Sequence, residues 1–105
     1  MSRFCIVCIY LVIGLMLFPP LAFAEEDEIY EKCKNEPRAP WCYQETVEQL
    51  NDPVLCENIL KYWPVADGVH GWCYYRLALK NKDCTLCDFI NKADIKKMCK
   101  LDACK

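Results

Sequence analysis

Cys84-Thr85-Leu86-Cys87 is the stretch of this chain best supplied for chemistry. Two cysteines at this spacing can form a redox-active disulfide, and Cys84 directly follows Asp83, a residue suited to cap a helix. A helix N-terminus lowers a thiol's pKa, which is how a reactive thiolate is made. The setting that makes such a motif thioredoxin-like is a βαβ unit, and no strand alternation flanks it here. Cys87 also has a counterpart at Cys56, so Cys84 alone is extra. Redox use of Cys84 and Cys87 is therefore the second reading, behind structural bridging. The same two residues with Cys99 and Cys104 have the composition of a four-thiolate zinc site, but the second pair is at the limit of the usual ligand spacing. In an oxidising compartment disulfides compete with the metal. Neither a metal nor a cofactor is expected.

Hydrolytic chemistry is poorly supplied. No serine follows position 24, and the single histidine, His70, stands in a glycine-flanked stretch. A Cys–His nucleophile pair would need a free thiol, which the even number of cysteines argues against. The expectation is a protein that is not an enzyme.

The compartment follows from residues 1–24, which read as a secretory signal peptide. Arg3 supplies the positive region, Phe4 to Phe18 is uncharged, Pro19-Pro20 breaks any helix, and Ala22-Phe23-Ala24 places small residues for cleavage after Ala24. The apolar run is short for a membrane span, which needs roughly 20 residues, so no stable membrane anchor is expected after cleavage. Of ten cysteines, Cys5 and Cys8 would leave with the leader. The rest lie in residues 25–105, a single domain whose small core would be marginal without staples. An exported chain this rich in cysteine reads as a disulfide framework in a periplasmic or extracellular setting.

The elements that hold these cysteines repeat. Trp41-Cys42-Tyr43, Asp52, Leu55-Cys56 and Ile59 recur 31 residues later as Trp72-Cys73-Tyr74, Asp83, Leu86-Cys87 and Ile90. A fixed period of this size marks a repeated supersecondary unit. The copies span 41–59 and 72–90, and a partial third begins at Cys104. Tyr43, Val47 and Leu50 share a helical face. Asn51-Asp52-Pro53 ends one helix and starts another, with Pro53 suited to the first helical position. Pro64 should stop that helix before Trp63. Tyr62 to Gly71 reads as a loop, Trp72 to Lys80 and Asp83 to Ile90 as further helices. Asn91-Lys92-Ala93-Asp94 has capping-box spacing before a last helix whose inward face is Ile95, Met98, Cys99 and Leu101. The fold class is all-α: about five short helices in disulfide-stapled hairpin repeats, with no sheet.

Spacing also constrains the bridges. Within one hairpin, Cys42 and Cys56 differ in distance from the turn by an axial offset of about 7 Å, on top of a helix separation of about 8–10 Å. That exceeds the reach of a disulfide, so Cys42–Cys56 and Cys73–Cys87 are disfavoured. Cys56–Cys73 and Cys87–Cys104 are repeat-equivalent, and Cys33–Cys42 with Cys84–Cys99 completes the set. The main rival nests Cys84–Cys104 around Cys87–Cys99, clamping an antiparallel hairpin.

Acidic residues dominate from Glu25 to Glu57 and basic ones from Asn58 to Lys105, with Lys92, Lys96 and Lys100 forming a row on the last helix. A net-acidic exported chain is a poor match to nucleic acid. Tyr62, Trp63, His70 and Trp72 form the candidate binding loop, because displayed aromatics beside bridges have hot-spot composition. They would equally serve to cap a small core.

The two Trp-Cys-Tyr…Asp-x-x-Leu-Cys-x-x-Ile copies resemble the short cysteine-bearing helical repeats of some exported prokaryotic proteins without an assigned activity. The resemblance covers residues 41–104 and implies architecture rather than activity. The expected role is a non-enzymatic module that binds or modulates another protein; the alternative is thiol–disulfide exchange through Cys84 and Cys87.

Overall fold

The computed structural model describes residues 27–105, so the expected leader and its cleavage after Ala24 lie outside the described residues. Asp27 opens the first helix, α1 (Glu28–Cys33), its carboxylate accepting from the backbone N–H of Ile29 and Tyr30. Then follow α2 (Ala39–Leu50), the 3₁₀ helix η1 (Pro53–Cys56), α3 (Glu57–Tyr62), α4 (Asp67–Asn81), the 3₁₀ helix η2 (Cys84–Phe89) and α5 (Ala93–Ala103). No strand occurs among the described residues. The fold is all-α.

The three longer helices lie side by side and point the same way. At one end, Lys80 donates to the Glu48 carbonyl at 2.9 Å, and the side-chain amides of Asn51 and Asn81 exchange hydrogen bonds at 3.1 and 2.8 Å. At the other, Ile95 near the start of α5 sits over Gly71 near the start of α4. Between them the chain returns through η1–α3 and through η2.

Both returns begin with the same backbone event. Asn51 (φ 56°) and Lys82 (φ 53°) adopt the left-handed conformation, and their N–H groups close the last turns of α2 and α4. This is the usual way to stop a helix and reverse it. Asp52 and Asp83 follow at the caps of η1 and η2, but only Asp83 makes a side-chain cap bond, to the Thr85 N–H. Tyr43 and Tyr74, Val47 and Ala78, Cys56 and Cys87, and Ile59 and Ile90 occupy matching places in one buried core.

Several boundaries differ from the sequence reading. The stretch Tyr62 to Gly71 is mostly helix, because α4 starts at Asp67. The last helix is capped at Lys92 rather than Asn91, without a side-chain bond. Of the expected inward face of α5, Ile95 and Cys99 are buried, whereas Met98 and Leu101 are exposed. Leu50, at the end of its helix, projects past the core and is exposed.

Four disulfides staple the elements: Cys33–Cys42, Cys56–Cys73, Cys84–Cys104 and Cys87–Cys99. The first two coincide with the pairs read from spacing. The expected Cys84–Cys99 and Cys87–Cys104 are replaced by the nested arrangement. The reason is a change of register. The second return lacks a counterpart of α3, so the bridge from the return to the next long helix spans 12 residues rather than 17. Cys99, not Cys104, therefore takes the place in α5 that Cys73 holds in α4. Because η2 and α5 run antiparallel, Cys84 meets Cys104 and Asp88 meets Lys100 (2.6 Å). In the packing, α5 takes the place of a third long helix.

Candidate functional site

The C-x-x-C does not form a bond of its own, since Cys84 and Cys87 are joined to different partners. The exchange pair expected of a redox motif is absent, and all four candidate zinc thiolates lie in disulfides. The bridges differ in access. Cys56, Cys73, Cys87 and Cys99 are fully buried, whereas Cys84 is partly exposed and Cys104 exposed. Thiol–disulfide exchange requires approach to the sulfur. Stepwise addition of a mild reductant with an alkylating label should therefore modify Cys84 and Cys104 first, and Cys56, Cys73, Cys87 and Cys99 only as the fold opens. Peptide mapping by mass spectrometry reads the order. Early labelling of Cys87 would contradict it.

The candidate aromatic loop is dispersed into the packing. Tyr62 ends α3 and stacks on Tyr30 with ring centroids 4.0 Å apart. Trp63 packs against Tyr30, Tyr43 and Tyr62 at 5.6–5.8 Å. Trp72 lies edge-on to Tyr75 on another face of α4. His70 is inside α4 and fully buried. These four side chains do not form one exposed surface: Tyr62 and Trp63 pack at the end of α3, and the helix that begins at Asp67 buries His70 and places Trp72 on another face.

His70 instead joins a cluster that the sequence did not reveal. Its Nε2 lies 2.9 Å from Glu57 Oε2, and the Tyr74 hydroxyl donates to the same oxygen at 2.7 Å. A carboxylate only accepts, so the imidazole proton sits on Nε2. His70 Nδ1 is buried and has no hydrogen-bond partner among the described residues. The fully buried ring offers it to no solute.

Beside this cluster lies a groove between η1 and η2, about 700 Å³ in volume and lined by Pro53, Val54, Glu57, Tyr74, Leu86, Asp88, Phe89 and Asn91. Val54 is 75% exposed and Phe89 53% exposed, and the Phe89 ring stacks on Tyr74 with centroids 5.3 Å apart. Each wall is anchored by a buried half-cystine, Cys56 in η1 and Cys87 in η2. The signal in sequence is faint: Val54 and Phe89 adjoin Leu55 and Ile90 with nothing local to set them apart, and their proximity depends on two returns packing on one helix. Compared with protein-family models, curated proteins and solved structures, the chain matches none.

The electrostatics of the carboxylates give the protein a pH dependence of definite sign. Burial works against ionisation of Glu57, but the bonds from Tyr74 and His70 outweigh it and hold the carboxyl below its ordinary value. Arg76 lowers Glu48 and Lys100 lowers Asp88, each through a direct hydrogen bond. A carboxyl depressed on folding binds fewer protons in the native state. Its stabilisation is present above the ordinary carboxylate value and is lost as pH falls through the folded one. Burial first, then the bonds to Asp27 and Glu57, raise Tyr43 and Tyr74 above the usual phenol range. That stabilisation is complete below the ordinary tyrosine value and is lost as pH rises through the folded values. Urea midpoints measured across pH should form a plateau that falls at both ends, and Glu57→Gln should flatten the acid limb.

Proposed function

We propose that this protein is an exported, non-enzymatic binding module that engages a segment of another protein through the η1–η2 groove. The observation that carries this reading is the pair of exposed apolar side chains on the groove's two walls, Val54 and Phe89, on a frame whose flanking segments are anchored by buried disulfides. Apolar side chains held rigidly at a surface lose little freedom on binding, which is what lets a small contact gain affinity. Export is supported by four disulfides, which persist in oxidising compartments. Cleavage of residues 1–24 after Ala24, to a periplasmic or extracellular product, accounts for how the chain gets there. No described helix is long and apolar enough to cross a membrane.

Selection of a displayed linear-peptide library on the oxidised protein, expressed with its own leader, tests the reading. Enriched peptides should bind the wild-type protein and fail on Val54→Asp and Phe89→Ser variants that retain four disulfides and native helical circular dichroism. Peptides indifferent to both substitutions, or no enrichment, would refute the groove as a binding site. Thiol exchange is the second reading, and its supporting observation is the accessible Cys84–Cys104 bridge. It would require reversible opening of that bridge with the fold intact, which the reductant series measures directly.

A further inference from the structure

The groove carries charge beside its apolar surface. Two of its lining residues, Glu57 and Asp88, are carboxylates, and none is basic. Both bonds to Glu57 fall on Oε2, so Oε1 has no donor among the described residues, and the side chain is 56% exposed. Asp88 is held from outside the groove lining by Lys100, which reaches Oδ1 at 2.6 Å. His70 and Tyr74 fix the Glu57 carboxylate from behind. It is therefore aimed before any partner arrives, and it sits beside the exposed faces of Val54 and Phe89.

We infer that the segment bound by this groove presents a lysine or arginine next to an apolar side chain. The cation sits against Glu57, and the apolar group lies on Val54 and Phe89. This rests on the binding reading above and adds the chemistry of the partner. Charge complementarity selects it. An apolar or anionic segment covering the groove would strip water from an ionised Glu57 and leave it unpaired, which is costly. A cation replaces the lost water with a charge-assisted bond, and juxtaposed like charges act against acidic competitors.

The same peptide selection discriminates. The enriched peptides should carry lysine or arginine adjacent to an aliphatic or aromatic residue, and their affinity should fall as salt is raised. Glu57→Gln, which keeps an acceptor for Tyr74 or His70, should weaken them about tenfold. Lys100→Ala, which releases Asp88, should tighten them several-fold, a gain that loss of structure does not produce. Peptides without a cation that depend on Val54 and Phe89 but ignore Glu57→Gln, Lys100→Ala and salt would overturn this inference and leave the binding module standing. Peptides indifferent to Val54→Asp and Phe89→Ser would overturn both. If Glu57→Gln fails to form four disulfides, Lys100→Ala and the salt series decide: no gain and no salt dependence refutes the cation.

Discussion

Replacing Cys56 and Cys73 together by alanine is expected to lower the unfolding free energy by about 2–5 kcal/mol and to abolish stable folding near physiological temperature. This bridge joins the first return segment to α4, the central long helix, and both half-cystines are fully buried. Two effects add. Removing the cross-link restores freedom to the unfolded chain, and removing the sulfurs leaves a void in a core too small to collapse onto it. Cys84→Ala with Cys104→Ala separates the two. The loops closed are similar, with sequence separations of 17 and 20 residues, so the chain-entropy effect is nearly the same. Cys104 is exposed, however, and its loss opens no comparable void. Urea unfolding should therefore show a clearly larger loss for the buried pair. Equal losses would mean that packing around Cys56–Cys73 contributes nothing beyond the cross-link.

Gly71→Val should cost about 1–3 kcal/mol, while Gly68→Ala should be neutral or stabilise by up to about 1 kcal/mol. The two glycines are three residues apart on α4, Gly68 in its first turn, and differ sharply in what covers them. A Cβ at Gly71 would stand 3.1 Å from Ile95 Cδ1, 3.2 Å from Ile90 Cγ2 and 3.3 Å from Ile95 Cγ2. Those isoleucines belong to α5 and to the end of η2's return, so a larger residue pushes the second and third long helices apart. A Cβ at Gly68 would meet nothing within 4 Å. There the gain in helix propensity is unopposed. Thermal unfolding of the two single variants checks the contrast. A Gly71→Val protein as stable as the parent would show that α5 is free to shift.

The glycines also show where reading the sequence succeeded and where it stopped. Gly68 and Gly71, with Pro64, made Tyr62 to Gly71 look like a loop, yet the helix runs through both glycines. At Gly71 the residue serves close approach between helices rather than chain reversal. The chain turns within that stretch only at residues 63–66, between α3 and α4. At Asn51 and Lys82, neither of them glycine, the left-handed conformation is fixed by the N–H bonds that end α2 and α4. His70 reads as a loop residue for the same reason, and its burial follows only from the packing that brings Glu57 and Tyr74 beside it. Those three residues come from α3 and α4, separated by 13 and 17 positions. No local pattern ties them together.

What the sequence determined by itself is the part of the structure that obeys short-range rules. Helical periodicity gave an all-α chain. The 31-residue recurrence gave two equivalent long-helix-and-return units, because matching residues with the same local propensities stop and reverse at matching places. Cysteine density indicated a stapled core. The tertiary structure decided what depends on register between units. Loss of an α3 counterpart brought α5 onto α4 five residues early, which exchanged the expected partners of Cys84 and Cys87. The same packing set Val54 and Phe89 as two walls of one groove and aimed Glu57 into it. A disulfide pairing and a groove are both relations between segments, and segment spacing in space follows from which helices pack together, not from spacing along the chain.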